Sequence, residues 1–562
     1  MTHSSVWCTG AAAIAVLSLL SEPAAAGAQD LDQTSCDEFL PPAREVRDQK
    51  VGPRSCLMQE TDVTFEGRTF KRLDIGVNGT VDGYVTKTGD YKEYLTNSPD
   101  IVFQQTADPG PIYFAVAAYE RDKGAAMTII YPHDRSAWNG KVWVTVHGRG
   151  VSFTQGNLKA WNRNLDRANP LGDLNKYDRL MLSKRYVLVK TRRTSAEGLG
   201  EIKAVLEDGS TVDYVAFNDS HRYITDFTAV ARKAVERRLG QPPRRTYFYG
   251  HSAGARIGRG LNYTPGLNRG PDGKASFDGI LADDGAAGGW LPVVMKDGRD
   301  VLFASDAEQA GFVPQLDISH QMYNNIWPSK KADYMSSSYL ANKRNNARLL
   351  RDKGLHTKER MYEVRSISHS GGESLPEGPA TAFGAGRRGE VQILDMSKLM
   401  DRFVDMLDAW VEKGVAPPPT RSDWAELGDA NRDGTIENPG LAFPEVACPL
   451  GVYFPYPNST SGSTSFAAFT GNELEPLNGD GVFVDMNGNS VWDFRETPAE
   501  AWRRLGLLQK NEPLTREKYV ACVRRAAEGL QRDGFFSGRT VQLYIDQTAK
   551  IDLGPRSPAP SH

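Results

Sequence analysis

Histidine and cysteine are scarce in this chain: 562 residues carry nine histidines and five cysteines. No cysteine stands in a Cys-x-x-Cys pair or beside a histidine, which argues against zinc and dithiol redox chemistry. An excess of one charge is missing too. Sixty-seven Lys and Arg balance 70 Asp and Glu to a net charge of −3, so there is no basic field for nucleic acid and no acidic tail. Beyond the N-terminus no stretch approaches the roughly 18 consecutive apolar residues of a membrane span, and none is expected in the mature chain.

What is present at the N-terminus is an apolar run over residues 11–20, long enough for a signal-peptide core and too short to cross a bilayer. Small-residue cleavage sites follow at Ala24-Ala25-Ala26 and Ala26-Gly27-Ala28. Residues 1–28 are therefore expected to be a signal peptide, although Lys and Arg are missing ahead of the run, and the mature protein is expected to be secreted or periplasmic. Cys8 would leave with the signal. The remaining four cysteines then suit an oxidising compartment, and closeness in sequence favours Cys36 with Cys56 and Cys448 with Cys522.

The 40% hydrophobic and 24% charged content is that of a globular protein. Length alone suggests about three or four units. Residues 29–110 read as a β-rich region, with Asn78-Gly79 and Asp82-Gly83, and later Asn139-Gly140, as hairpin signals. From residue 111 strands and helices alternate. Apolar strands are expected at 141–146, 186–190, 247–250, 277–282, 301–304 and 361–367, with helices at 222–239, 339–353 and 394–413. Such alternation implies βαβ crossovers and a doubly wound, mostly parallel α/β sheet over residues 111–415. Pro417-Pro418-Pro419 marks a boundary. The C-terminal region, 416–562, is expected to be α+β, with helices at 499–508 and 516–530 and a short strand at 541–545.

The chemistry centres on Gly250-His251-Ser252-Ala253-Gly254. A buried strand entering a Gly-x-Ser-x-Gly turn and leaving it as a small-residue helix is the form of a nucleophile elbow, in which the glycines allow close approach while the serine projects. A serine hydroxyl needs a base, an acid that orients the base, and donors for the oxyanion. His369 in Ser368-His369-Ser370 follows the 361–367 strand directly, at the edge where open α/β sheets bind ligands. It is the expected base. His356 would lie at the opposite end of that strand, and His320 in a helical stretch. The acid is expected just after residues 301–304, where Asp306 and Glu308 stand; Asp283 and Asp284 are further candidates whose alternative is local turn capping. The backbone N–H of Ala253 supplies one oxyanion donor, and Gly148 or Arg149 in His147-Gly148-Arg149-Gly150 the second. Arg149 would either anchor an anionic substrate group or pair with a neighbouring acid.

With those residues in place, the region from about 110 to 415 resembles the α/β-hydrolase superfamily. The wording around Gly250–Gly254, with Asp283-Asp284-Gly285 downstream, is similar to a group of secreted bacterial α/β-hydrolase-domain proteins. The resemblance implies a serine esterase acting on a small-molecule or polymeric ester without an organic cofactor. A peptidase or lactonase on the same triad, or a non-catalytic binding protein of hydrolase-like fold, are the alternatives.

A second signal lies in the C-terminal region. Asp485, Asn487, Asn489, Asp493 and Glu496 occupy positions 1, 3, 5, 9 and 12 of a loop, with the Val491 carbonyl at position 7. This is EF-hand spacing, with Ser490 where the turn glycine belongs. Asp429, Asn431 and Asp433 repeat the first half of the pattern, but Gly440 stands where a bidentate acid is needed. Structural calcium is expected at these loops, the bland alternative being Asx turns.

Overall fold

The computed structural model describes residues 34–42, 44–46, 49–51, 53–79, 123–147, 153–154, 171, 174–192, 201–205, 211–215, 218–251, 253–263, 268–284, 295–296, 299–300, 311–320, 350–351, 353–365, 367, 394–421, 440–454, 465–468 and 497–550. Ten strands run in order across one sheet: β1 (Thr34–Ser35), β2 (Pro53–Phe65), β3 (Arg68–Gly79), β4 (Lys123–Pro132), β5 (Lys141–His147), β6 (Val187–Arg192), β7 (Arg245–His251), β8 (Gly279–Asp283), β9 (Gln315–His320) and β10 (Glu359–Val364). Their spatial order is β1-β2-β3-β4-β6-β5-β7-β8-β9-β10, and a short strand, Phe153–Thr154, pairs with β4. The strands from β6 through β5 to β10 are all parallel. Those from β1 to β4 are antiparallel, as is the β4–β6 junction.

The helices cover both faces. Helix α1 (Lys176–Ser183) begins with an Asn175–Asp178 capping box, and Asp178 also reaches down to Lys190 Nζ at 2.6 Å, tying the helix to β6. α2 (Asn218–Leu239) is closed by Gly240 in the left-handed region, where a glycine carries no Cβ penalty. α3 (Ala253–Tyr263) follows β7 after one residue. α4 (Ser397–Lys413) is capped by left-handed Gly414, whose N–H donates to the Ala409 and Trp410 carbonyls. Residues of α1 and α4 pack into one core, with Tyr177, Met181, Phe403 and Leu407 against Leu281, Leu316 and Ile318. Residues of α2 and α3 pack into the other, with Ile224, Phe227, Ile257 and Leu261 against Val144, Phe248 and Ile280. The parallel strands are therefore buried on both faces, which is why β7 and β8 read as continuous apolar runs.

Several sequence expectations shift. The hairpin turn between β2 and β3 is Glu66-Gly67, both with positive φ, rather than Asn78-Gly79, which closes β3. That geometry is the primed turn whose twist matches the flanking strands. Asn139-Gly140 leads into β5 but joins no hairpin, because β6 separates β4 from β5. Residues 541–545 are not a strand: they lie in α6 (Gly538–Thr548), capped by Ser537, which stacks beside α5 (Arg516–Arg532). The apolar spacing of Val541, Tyr544 and Thr548 buries one helical face. Asp82-Gly83, the signal-peptide residues and most of 339–353 lie outside the described residues.

The core continues past the three prolines. Phe535 meets Tyr362 edge-on at 5.0 Å, with Phe403 beside it at 6.3 Å. Arg421 and Leu441 form parallel bridges to Tyr362 and Val364, so this later chain occupies hydrogen-bonding groups along the outer edge of β10. Both disulfides form between the pairs closest in sequence, Cys36–Cys56 and Cys448–Cys522. Among the described residues no helix is long and apolar enough to cross a membrane.

Candidate active site

Strand order reverses at β5: the chain leaves β5 toward β6 on one side and returns through α2 to β7 on the other. In open α/β sheets the crevice beyond the strand ends at such a point is where ligands bind. At this place β7 ends with His251 and α3 begins with Ala253. A Cβ on Gly250 would sit 2.2 Å from the Gly254 carbonyl oxygen, and one on Gly254 would sit 2.3 Å from the Val146 carbonyl oxygen. Real Cβ contacts essentially never fall below 3.0 Å. Both glycines of the Gly-x-Ser-x-Gly pattern are thus required by close backbone approach. Gly258, one turn further along α3, has the Phe248 ring 2.8 Å from its would-be Cβ and continues the same contact with β7. The turn is pressed against the end of β5, whose continuation carries Gly148 and Arg149.

Under this turn lies a buried polar cluster. His251 Nδ1 is 3.1 Å from Asp283 Oδ2, the Tyr249 hydroxyl donates to the same oxygen at 3.0 Å, and His320 Nε2 is 3.1 Å from Asp283 Oδ1. His320 Nδ1 is 3.3 Å from Asp284 Oδ2, and the His320 backbone N–H donates to Asp284 Oδ1 at 3.0 Å. His320, Asp283 and Asp284 have no exposed surface, and His251 has 4%. Register explains the convergence. His251 pairs with Asp283, and Asp283 with Ile318, so the last residues of β7, β8 and β9 project from one face. Burial pushes the Asp283 carboxyl up, but the His320 charge and the hydrogen bonds from both imidazoles outweigh it and hold Asp283 well below the usual carboxylate range. Burial opposes the charged form of His320, but the Asp284 and Asp283 charges prevail and raise its pKa.

This cluster revises two sequence readings. His320 is the last residue of a strand, not part of a helix, and both its ring nitrogens face carboxylates, which leaves neither for a serine proton. The strand between β8 and β10 is Gln315–His320, whereas residues 301–304, the expected strand ahead of Asp306 and Glu308, lie outside the described residues. Polar residues hid β9 from a hydropathy reading. Gln315 donates to Glu359 at 3.0 Å, Asp317 accepts two 2.6 Å bonds from buried Arg259, and His320 meets the two aspartates, so Gln315, Asp317 and His320 each have a side-chain partner in the interior. The recoverable signal was the alternation of Leu316 and Ile318 with those polar residues.

Of the residues singled out from sequence, Ala253 is described as the first residue of α3. Ser252, His369, Asp306, Glu308, Gly148 and Arg149 lie outside the described residues, as do the loops holding Asp429, Asn431, Asp433, Asp485, Asn487, Asn489, Val491, Asp493 and Glu496. Among the described residues no group of three or more His, Cys, Asp or Glu is placed to hold a metal ion.

Comparison with solved structures finds, among others, feruloyl esterase B from Aspergillus oryzae, 10% identical over 75% of this chain and 98% of that one, with a TM-score of 0.31. A poly(3-hydroxybutyrate) depolymerase from Bordetella parapertussis is 12% identical over 52% and 88%, TM-score 0.27. A glucuronoyl esterase from Solibacter usitatus is 10% identical over 54% and 75%, TM-score 0.25. A search of curated proteins found no match. The model of one family, described as an alpha/beta hydrolase domain, matches residues 114–545. With the strand–turn–helix of β7 and α3 at the switch point of a doubly wound sheet, and that match spanning well over half of its length, the chain belongs to the alpha/beta hydrolase domain family.

Proposed function

We propose that the protein is a serine hydrolase that cleaves carboxylic esters, secreted or periplasmic in location. The observation that carries this reading is the pair of glycines, Gly250 and Gly254, forced into backbone contact around the one residue between β7 and α3. That close approach is what a nucleophile elbow requires. In this reading Ser252 Oγ attacks the ester carbonyl while His369 takes its proton, and the tetrahedral oxyanion is met by the Ala253 N–H and by Gly148 or Arg149. Collapse expels the alcohol, which leaves with the proton from His369, and a water activated by His369 then releases the acid and frees Ser252. Glu308 or Asp306 orients His369. Asp283 is less suited to that task, since its two oxygens already receive three donors.

The test is turnover of a panel of aryl esters against peptide anilides and lactones by the purified protein and by Ser252→Ala. Ester hydrolysis that vanishes in Ser252→Ala supports the reading. Cleavage of anilides or lactones alone would replace the ester by another acyl group, and no Ser252-dependent hydrolysis of any kind would overturn it. We further propose that the loops at 429–437 and 485–496 bind calcium in a structural capacity.

A further inference from the structure

We propose that His320 is a positioning residue for the nucleophile turn, held as an imidazolium between Asp283 and Asp284 so that Asp283 can fix His251, the residue immediately before Ser252. The proposal rests on Ser252 being the nucleophile and adds a residue two strands away that sets how well that serine is aimed.

The geometry specifies the proton count. An imidazole nitrogen facing a carboxylate oxygen must donate, and a neutral imidazole has only one N–H. His320 Nε2 is hydrogen-bonded to Asp283 at 3.1 Å and Nδ1 lies within ion-pairing distance of Asp284 at 3.3 Å, an arrangement that suits a proton on each nitrogen. Asp283 thereby keeps its negative charge in a site with no exposed surface, and its other oxygen receives His251 Nδ1 and the Tyr249 hydroxyl. His251 must then hold its proton on Nδ1.

The chain of contacts Asp284–His320–Asp283–His251 crosses the C-terminal ends of β9, β8 and β7, at the last register pairs of the parallel ladder. Asp284 itself is a non-glycine residue at φ +47°, and its N–H donates to the Ile318 carbonyl while its carboxylate receives the His320 backbone N–H. A left-handed non-glycine residue persists where the surroundings over-determine it, and such residues gather at functional sites. Of the neighbouring elements, β10 presents uncharged Val364 opposite His320, while α1 brings Tyr177 edge-on to Tyr249 at 5.8 Å, with Asp178 of the same helix paired to Lys190 of β6. Among the described residues, the two aspartates are therefore the acids that face His320.

The experiment follows the rate at which excess fluorophosphonate labels Ser252, together with aryl-ester kcat and KM and the melting midpoint, in the wild type, His320→Gln, Asp284→Asn and the double variant. Misplacing the turn by a fraction of an ångström to 1 Å is expected to slow labelling and kcat on the order of tenfold to a hundredfold, with KM within about twofold. The double variant should lose no more than the worse single, because the pair acts as one unit. Variants that fold and label at the wild-type rate overturn the positioning role, whereas a wild type that does not label overturns the nucleophile assignment on which it rests. Histidine nitrogen NMR of the native protein provides a measurement that no folding defect can confound. Two protonated ring nitrogens on His320 at neutral pH are expected, and a neutral His320 would refute the proposal.

Discussion

Replacing Gly254 by alanine is the sharpest perturbation of the nucleophile turn. The added Cβ would sit 2.3 Å from the Val146 carbonyl oxygen and 3.2 Å from its carbon. Backbone cannot swing aside as a side chain does, so α3 must retreat from β5 by about 0.7 Å to reach the shortest Cβ separation that occurs, 3.0 Å. Overpacking of this kind costs about 1–3 kcal/mol. The retreat also carries Ser252 away from the loop that follows β5, and a displacement approaching 1 Å costs on the order of a hundredfold in rate. Gly258→Ala is the control. Its Cβ meets the Phe248 ring at 2.8 Å and Ile280 Cγ2 at 3.1 Å, both side chains able to yield. Urea unfolding and aryl-ester kinetics on the two variants should show both destabilised, with kcat falling steeply only in Gly254→Ala. A Gly254→Ala protein with wild-type kcat and midpoint would refute the reasoning, since the contact would then be no constraint on the turn.

Three further outcomes follow from the same structure. Asp317→Ala strips the partner from Arg259, whose side chain is fully buried, and should lower the unfolding free energy by about 3–5 kcal/mol in urea; a loss under about 1 kcal/mol would contradict the pairing. The His320–Asp283 pair gives stability a pH dependence of definite sign. His320 is raised above 6.5, so its contribution is complete below about pH 6.5 and is lost as pH rises through the folded value, while Asp283, lowered below 3.8, contributes fully above that value and loses it in acid. The urea-midpoint gap between wild type and His320→Gln should therefore narrow as pH rises from 6.5, and a constant gap would be inconsistent with a charged His320. Chelation of calcium should lower the melting midpoint in a manner reversed by added calcium, and an unchanged midpoint at several chelator concentrations would count against the calcium loops.

How far the sequence could be read depended on which force set each element. β5, β7 and β8 were legible because burial on both faces demands continuous apolar residues, and α2 and α4 because their apolar residues recur at helical spacing on one buried face. β9 was not, because Gln315, Asp317 and His320 are buried by pairing with side chains from three other elements, and one-dimensional hydropathy carries no record of partners. The same blindness hid the cluster under the turn. Asp283 and Asp284 read as further candidates for the triad acid or as turn-capping residues, since nothing in the chain announces that His320, 37 residues after Asp283, arrives beside them. The glycines of the turn were visible, but which neighbour each one touches emerged only when Val146 was placed against α3.

The central claim is that Ser252 is an activated nucleophile, and intact-mass and peptide mass spectrometry after fluorophosphonate treatment test it directly. One adduct is expected, located on Ser252, absent in Ser252→Ala and formed more slowly in His369→Ala. A folded wild-type protein that takes up no adduct, or takes it up at another residue, would contradict it.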